Sequence, residues 1–324
     1  MSSQLPSQNP AIRIGARASK LSLAQTRTLQ VRIAASLGVS EADMESVVVI
    51  VPITTTGDRV QDRRLMEIGG KALFTKEIEE ALLEGRVDCA VHSLKDVPAE
   101  MPDGLVLAAI PQREDARDAL LSERFTSLDD LPIGAKLGTA SLRRQAQTLA
   151  LRPDLEIVML RGNVDTRLAK LARGEADAIL LAASGLNRLG LGDLPRGFVD
   201  PVANPPAPGQ GALAVQTRVG DIDAPWVRAL RHEPTTLCVA AERGALFALE
   251  GSCRTAVGAY ARLDGLRLTL IVEGLTPDGS KRFRREGDVE LPAASGIEAE
   301  EAARALGLTL GRAVREEGGE ALVY

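Results

Sequence analysis

Short runs of β-branched and aliphatic residues alternate along much of the chain with segments in which apolar residues recur every three or four positions. The segment AIRIGARAS predicts a strand that ends at a glycine turn, and a helix follows from about Leu21 to Ser36. The runs SVVVIVPITTT and VDCAVHS predict two further strands. Between them, LFTKEIEEALLEGR predicts a helix that ends at Gly85, where a left-handed cap belongs. Strands that alternate with helices are typical of parallel sheets.

The same pattern recurs in the middle of the chain. AKLGTASLRRQAQTLA predicts a strand, a glycine turn and a helix, and LEIVML predicts the next strand. NVDTRLAKLARG predicts a helix that stops at Gly174, before the strand ADAILLA. Two similar units predict two α/β lobes with a cleft between them. The Pro-rich segment PVANPPAPGQGALAVQTR predicts a linker whose apolar end returns to the first lobe as a strand.

The character of the sequence changes after about residue 232. A helix is predicted over TLCVAAERGALFAL, followed by an antiparallel meander of VGAYARL, LRLTLIVEGL and KRFRREGDVEL, with TPDGS as one turn. A final helix is predicted over IEAEEAARALGLTLGRAVREE, which completes a small α+β domain. The predicted units are a disordered tail at 1–10, a first lobe at 11–112 with 210–230, a second lobe at 113–209 and a C-terminal domain at 231–324.

Composition narrows the class of protein. The chain has 324 residues, of which 45 % are hydrophobic and only 2 % aromatic, so its core must be built from Ala, Val, Leu and Ile. The net charge of −5 argues against a general nucleic-acid binder, and no apolar run is long enough to span a membrane. Three cysteines without a secretory signal predict a cytoplasmic protein with no disulfide framework, and no Cys/His cluster has zinc spacing.

Basic residues recur at the strand-to-helix turns. In GTASLRRQ, Thr139 or Ser141 can cap a helix whose first turn holds Arg143 and Arg144, although the helix dipole is positive there. An anion bound at that end would explain both arginines. Similar turns carry Arg17 with Ser19, Lys71, and Arg161 with Arg167. On an acidic chain these turns predict a positive cleft for a ligand with several carboxylates or phosphates. No Walker sequence is present, which disfavours a nucleoside triphosphate.

Two further features are candidates for chemistry. Lys95 and Asp96 follow a strand in VHSLKDVP, where the carboxylate could hold an N–H group or stabilise a developing cation; a weak Lys–Asp surface pair is the alternative. The sequence predicts that Cys253 lies in a loop beside Arg254, where a neighbouring cation favours the thiolate; a small residue filling a turn is the alternative. His92 is interpreted as a strand-end residue, and Cys89 and Cys238 as packing residues.

Taken in order, nine segments resemble the porphobilinogen deaminase, or hydroxymethylbilane synthase, family from Ile12 to about Gly258. These are RIGARASKLSLAQ, GGKALFTKEIEEALL, AVHSLKDVP, REDARDALLS, GTASLRRQ, LRGNVDTRL, GLNRLGL, PGQGALAV and LEGSCRTAVG. The resemblance implies two periplasmic-binding-protein-like lobes plus a small C-terminal cofactor-attachment domain. It also implies a transferase of haem biosynthesis that joins four porphobilinogen molecules, with loss of ammonia, into a linear tetrapyrrole. The implied cofactor is a dipyrromethane, bound covalently through Cys253.

The resemblance also assigns roles by motif, with Asp96 as the catalytic carboxylate. It implies cofactor binding by Cys253, Lys95, Thr139, Ser141, Arg143, Arg144, Arg167 and Arg188. It implies substrate binding by Arg17, Ser19, Lys71, Phe74, Arg161 and Gln210. No metal, nucleic acid or membrane partner is expected, and a monomer is expected.

Two positions depart from the family pattern. Glu67 replaces a basic residue of many relatives, in a charged segment at 57–72 that predicts a mobile loop, and Ser252 replaces a glycine beside the cysteine. A solute-binding module or the effector domain of a regulator shares such lobes and is the main alternative, although neither needs Asp96 or Cys253. A cysteine hydrolase is a third possibility, but no histidine is credibly paired with Cys253.

Overall fold

The computed structural model describes residues 11–59, 73–249 and 256–322, and these residues form three β-sheets. The first sheet contains β1 (Ile12–Arg17), β2 (Val48–Ile53), β3 (Cys89–Ser93), β4 (Leu105–Ala109) and β10 (Leu213–Arg218). Its strand order is β2-β1-β3-β10-β4. Strands β1, β2 and β3 are parallel, whereas β10 runs antiparallel to both of its neighbours. The chain therefore returns to this sheet from a distant part of the sequence, as the apolar end of the linker predicts.

Helices cover both faces of the first sheet because its strands are apolar on both sides. They are α1 (Lys20–Ser36), α2 (Met44–Val47), α3 (Thr56–Arg59) and α4 (Lys76–Leu83). Leu29 and Ile33 of α1 pack with Val91, while Ile78 of α4 packs with Ala90 on the opposite face. Beyond α4, Gly85 adopts φ +70°, the left-handed conformation that ends the helix.

The second sheet repeats this arrangement. It contains β5 (Asp118–Leu121), β6 (Lys136–Gly138), β7 (Glu156–Val158), β8 (Ala178–Ala182) and β9 (Arg196–Phe198). Its order is β7-β6-β8-β5-β9, with β5 antiparallel to both neighbours, so β5 occupies the place that β10 holds in the first sheet. The associated helices are α5 (Leu142–Leu151), α6 (Val164–Ala172) and α7 (Ala183–Arg188). In each sheet the antiparallel strand is the one that the chain enters after leaving the other lobe.

The C-terminal part is an antiparallel sheet under two helices. After α8 (Pro225–Arg228), its elements are α9 (Glu233–Ala248), β11 (Ala256–Asp264), β12 (Arg267–Leu275), β13 (Arg282–Glu290) and α10 (Ile297–Gly318). The strands follow one another as a meander. Helices α9 and α10 cross closely at Gly307, where an added Cβ would lie 2.0 Å from the carbonyl oxygen of Ala241. The apolar side chains of both helices and the sheet form one core.

The predicted fold class is confirmed: two α/β lobes are followed by a small α+β domain. The predicted strands and helices of both lobes, and the meander, are present. The short strands β4, β5 and β9 and the helices α7 and α8 are findings of the structure that the sequence pattern did not predict. The tail at 1–10 and most of the segment at 57–72 lie outside the described residues.

Candidate functional site

The first lobe presents a lysine and a carboxylate on one short turn. A 3₁₀ turn, Leu94–Asp96, follows β3 directly, and the Leu94 amide donates to the Ala212 carbonyl at 3.0 Å. Lys95 Nζ donates to Gln210 Oε1 at 3.2 Å. Burial, together with the nearby Arg144, lowers the pKa of Lys95 to about 8. The Asp96 side chain remains 33 % exposed, so its carboxylate can be reached from the cleft.

Arg17, at the end of β1, lies between two carboxylates. Its Nε donates to Asp58 Oδ1 at 3.1 Å, whereas its Nη1 is 3.9 Å from Asp96 Oδ2. The guanidinium carbon also lies 4.1 Å from the centre of the Phe74 ring. Ser19 caps α1, its Oγ accepting from the Ser22 amide at 3.3 Å. Arg17 is therefore directed mainly toward Asp58, and its ion pair with the Asp96 carboxylate is long, at 3.9 Å.

Arg143 and Arg144, in the first turn of α5, converge on one buried carboxylate, Asp118. Arg143 Nη1 lies 2.8 Å from Asp118 Oδ2, and Arg144 Nη2 donates to Asp118 Oδ1 at 2.8 Å. Burial alone would raise the pKa of Asp118, but the two guanidinium groups outweigh burial and hold it well below its usual value. At the same helix end, Ser141 Oγ accepts from the Arg144 amide at 3.4 Å, and Thr139 Oγ1 accepts from the Ser141 amide at 3.1 Å.

Asp118 is the residue that the sequence reasoning missed. It lies in REDARDALLS and begins β5, at the start of an apolar run. The sequence feature that could have identified it is an acidic residue at the start of a buried strand, because a buried carboxylate needs a cation nearby. The anion expected beside Arg143 and Arg144 is thus present in this structure as a side chain of the protein.

Gln210 connects the two lobes. Its Nε2 donates to Asp118 Oδ1 and to the Ala116 carbonyl, each at 2.8 Å, while its Oε1 accepts from Lys95 and, at 3.4 Å, from Arg144. The side chain is 1 % exposed. Gly211 beside it adopts φ +89°, and an added Cβ would lie 2.4 Å from the Glu114 carbonyl oxygen. The turn therefore needs glycine, and it holds the Gln210 amide where both lobes can bind it.

Three further arginines of the second lobe have fewer neutralising partners. Arg161 Nη1 is buried and has no hydrogen-bond partner among the residues that the structure describes. Arg167 Nε makes a long contact, 3.5 Å, with the Asn163 carbonyl, and burial with the nearby Arg144 lowers the pKa of Arg167 to about 10. Arg188 Nη2 donates to the Gly211 carbonyl at 2.7 Å, and burial lowers its pKa. These groups keep N–H donors available for an anionic ligand.

Other predicted residues divide into two groups. Lys71 and Cys253 lie outside the described residues, as do Glu67 and Ser252. The candidates set aside in the sequence are buried: His92 Nε2 contacts Gln216 Oε1 at 2.9 Å, and burial lowers its pKa to about 4. Cys89 and Cys238 are buried free thiols whose pKa values are raised by burial, that of Cys238 to about 12. Within residues 11–59, 73–249 and 256–322, no cluster of His, Cys, Asp or Glu is arranged to hold a metal.

The donor set suits a ligand with several carboxylates, such as a dipyrromethane with its acid side chains. Within the described part of the chain, Arg143 Nε, like Arg161 Nη1, is a buried N–H donor without a partner. An orphaned donor of this kind normally has a ligand or water to bind. Asp96 supplies a partly exposed acceptor on the first lobe. The fold and site define a two-lobed protein that binds a polyanionic ligand beside an accessible carboxylate.

Comparison with protein families agrees with this class. The model described as "Porphobilinogen deaminase, dipyromethane cofactor binding domain" matches residues 12–225, and the model of the C-terminal domain of the same enzyme matches residues 236–316. The chain belongs to the porphobilinogen deaminase family. A porphobilinogen deaminase of Caulobacter sp. (strain K31) is 69 % identical over 96 % of this chain and 98 % of its own. That of Phenylobacterium zucineum (strain HLK1) is 65 % identical over 98 % of this chain and 100 % of its own.

Solved structures with partial similarity include binding proteins. A periplasmic substrate-binding protein of an ABC transporter from Coxiella burnetii aligns with a TM-score of 0.41 at 19 % identity, over 72 % of this chain and 96 % of that one. An ancestral cationic amino acid solute-binding protein aligns with a TM-score of 0.39 at 16 % identity, over 68 % and 88 %. In the part of the chain that the structure describes, no helix has the length and apolar character to cross a membrane.

Proposed function

We propose that this chain is a transferase that joins four porphobilinogen molecules head to tail, with loss of ammonia, into hydroxymethylbilane. The observation that carries the proposal is the accessible Asp96 carboxylate, which is 33 % exposed and lies 3.9 Å from Arg17. Relatives named for this activity share 69 % of their residues with almost the whole chain, which supports the same assignment. A solute-binding module, the alternative, has no need of this carboxylate.

Asp96 is proposed as the catalytic carboxylate. It accepts hydrogen bonds from pyrrole N–H groups and stabilises the positive charge that develops as ammonia leaves the substrate. Its position supports this role, because Arg17 is held by Asp58 and stays 3.9 Å from the Asp96 carboxylate. A closer Arg17 would compete with the developing cation for the same oxygen atoms.

The cations and hydroxyls of the cleft are proposed to bind acetate and propionate groups. Those that hold the cofactor are Lys95, Thr139, Ser141, Arg143, Arg144, Arg167 and Arg188. Those that hold the substrate are Arg17, Ser19, Lys71, Arg161 and Gln210, with Phe74 packing on a pyrrole ring. All polar atoms of the Gln210 amide already have partners, so a contact between Gln210 and substrate requires one of those bonds to open.

The cofactor is a dipyrromethane, proposed to be joined to Cys253 by a thioether. When bound, it supplies the free pyrrole carbon to which the first substrate is added. Cys253 follows α9 and precedes β11 in the sequence. The proposed domains are 11–112 with 210–230, 113–209 and 231–324. We also propose a cytoplasmic monomer, in keeping with the free thiols of Cys89 and Cys238.

Intact mass spectrometry of the purified enzyme tests this function. The wild-type chain should be heavier than its sequence by one dipyrromethane, and Cys253→Ala should have its sequence mass and no turnover. Cys238→Ala is the matched control, because it removes a buried thiol elsewhere and should keep the added mass. Normal hydroxymethylbilane production by Cys253→Ala would rule out the attachment.

Limiting porphobilinogen provides a second test. Each substrate adds two carboxylates and loses its amine, so each addition should make the enzyme more negative by about two charges at neutral pH. Anion-exchange chromatography should then resolve a ladder of enzyme species that differ by one pyrrole unit in mass. If the enzyme keeps a single mass while oligomers accumulate only in solution, addition on the enzyme is excluded.

A further inference from the structure

The C-terminal sheet carries a carboxylate that faces the second lobe. Glu273 lies in the middle of β12 with its side chain 0 % exposed. Its Oε2 accepts from Arg282 Nε at 2.7 Å, and its Oε1 accepts from Gln147 Nε2 of α5 at 2.5 Å. Gly258, its partner on β11, leaves room for this side chain, since an added Cβ would lie 3.2 Å from Glu273 Cγ. A buried carboxylate at this interface is tolerated because both oxygens are bound.

Gln147 connects that carboxylate to Arg143. Its Oε1 accepts from Arg143 Nη1 at 2.8 Å, while its Nε2 donates to Glu273 and also, at 2.8 Å, to the Pro205 carbonyl. An ionised carboxylate only accepts hydrogen bonds and a guanidinium only donates them. The amide between them therefore has a single orientation that satisfies both. Glu273 and the Pro205 carbonyl both require the Gln147 NH₂ group on their side, and the amide oxygen therefore faces Arg143.

We propose that Glu273 is a positioning residue for Arg143, acting from the C-terminal sheet through the Gln147 amide. The contact holds Arg143 Nη1 among Gln147, Asp118 and the Pro205 carbonyl, and it leaves Arg143 Nε as a donor without a partner among the described residues. The proposal rests on the proposed function, in which Arg143 binds a ligand carboxylate. It joins the domain that carries Cys253 to the helix that begins the anion site.

The variant Glu273→Gln keeps a side chain of the same size at position 273 but changes the group that faces the Gln147 amide. The amide oxygen of the new glutamine is needed by Arg282, so its NH₂ group faces Gln147. The Gln147 NH₂ group then meets a second NH₂ group, so Gln147 either shifts away from residue 273 or turns and gives up its bond to the Pro205 carbonyl. Both outcomes weaken the acceptor that Gln147 offers to Arg143. A lost hydrogen bond to a charged group corresponds to about tenfold or more. We expect kcat/KM for porphobilinogen to fall by about tenfold, mostly through a higher KM.

The matched control is Arg282→Gln. It breaks the same buried ion pair but leaves the Glu273 carboxylate facing Gln147. Both variants should therefore lower thermal stability, and only Glu273→Gln should raise KM. Equal increases in KM would overturn the positioning role in favour of a structural one. A wild-type KM in Glu273→Gln would overturn it as well. If Glu273→Gln does not fold, Gln147→Met replaces it in the test, because it removes the amide while the Glu273–Arg282 pair remains. A wild-type KM in Gln147→Met would overturn the proposal.

A spectroscopic readout separates this inference from the proposed function. In protein labelled with ¹⁵N-arginine, the Nε–H signal of Arg143, assigned with Arg143→Lys, should shift in Glu273→Gln and stay in place in Arg282→Gln. Wild-type enzyme that makes no hydroxymethylbilane would refute the proposed function and leave this measurement intact. An unshifted Arg143 signal in Glu273→Gln, with active wild-type enzyme, would refute the positioning role alone.

Discussion

The two lobes share a strand order but differ in how their charges are paired. In the first lobe, the cation at the end of β1, Arg17, is bound by Asp58 and lies near a second carboxylate, Asp96. In the second lobe, Arg143 and Arg144 share the Asp118 carboxylate, and Arg161 has a buried N–H donor with no partner in residues 11–59, 73–249 and 256–322. The first lobe thus presents an accessible carboxylate at its site, whereas the site of the second lobe has more cations than anions.

This difference assigns separate tasks to similar folds. A carboxylate that stabilises a developing cation must not be neutralised beforehand, and the pairing of Arg17 with Asp58 meets that need. A ligand with many carboxylates needs cations that are fixed in place but not saturated. The first lobe is therefore suited to the chemical step, and the second lobe to holding the cofactor and growing chain.

The largest effect is expected from removing the paired cations of the second lobe. Arg143→Leu with Arg144→Leu should leave most of the enzyme without cofactor and without activity. It should also destabilise the fold, because Asp118 stays buried without a cation, a loss of about 3–5 kcal/mol when a buried pair is broken. Intact mass and thermal unfolding measure the two effects.

Adding Asp118→Asn to that double variant separates stability from binding. Removing the unpaired charge should restore part of the thermal stability and none of the cofactor. Arg124→Leu with Arg173→Leu is the charge-matched control, since both side chains are exposed, at 67 % and 59 %. Full cofactor loading of the Arg143 and Arg144 double variant would contradict the division between the lobes.

The Arg143 and Arg144 site also shows where sequence reasoning reached its limit. The two arginines oppose the helix dipole, which predicts that their removal relieves a conflict and leaves stability unchanged or higher. The structure places Asp118 against both guanidinium groups, so the opposite sign is expected. The partner lies 25 residues away from Arg143 and 26 from Arg144 in sequence, and only the pairing of β5 beside β8 brings it there.

Periodic segments with glycine stops were predictable because their pattern is local. The strand β1, the cap at Ser141 and the Gly85 stop all follow from neighbouring residues. The strands β5 and β9 were not predicted, because they are four and three residues long and show no extended alternation. The Gln210 bridge could not be predicted either, since it depends on the relative placement of both lobes.

The next largest effect concerns the carboxylate of the first lobe. Asp96→Asn keeps the shape and removes the charge, so the cofactor mass and circular dichroism should be unchanged. Loss of one preorganised electrostatic partner costs about 10²–10³ in kcat. Asp165→Asn is the control, because Asp165 is a carboxylate of the second lobe that is 49 % exposed and should tolerate the same change. Near-normal kcat in Asp96→Asn would show that another group stabilises the cation.

A smaller effect is expected from pH, acting on Lys95. Its pKa lies at about 8 instead of its ordinary value near 10.5, because burial and Arg144 disfavour the charge. Carboxylate binding by the cofactor-free enzyme should therefore weaken as pH rises through about 8, because Lys95 loses its charge. The free energy of unfolding should rise between about pH 8 and pH 10.5, because the lysine is protonated there in the unfolded chain and neutral in the folded one. Lys95→Arg, which stays charged, should lack both trends. A bound carboxylate favours the charged lysine, so Lys95 should lose its proton at a higher pH in the enzyme that carries its cofactor.

The smallest effect is expected at the contact between the lobes themselves. Lys20 Nζ lies 3.2 Å from Asp165 Oδ2, and the lysine is 72 % exposed, so water and salt screen the pair. Exposed pairs contribute about 0–1 kcal/mol. Lys20→Met should therefore change kcat/KM by less than about threefold at low ionic strength, because other contacts, such as those of Gln210, still hold the lobes together. The difference should disappear at high salt. The charge reversal Lys20→Glu with Asp165→Lys should restore any loss that the pair causes. A loss above about tenfold that this reversal repairs would instead make the Lys20–Asp165 contact a determinant of lobe closure.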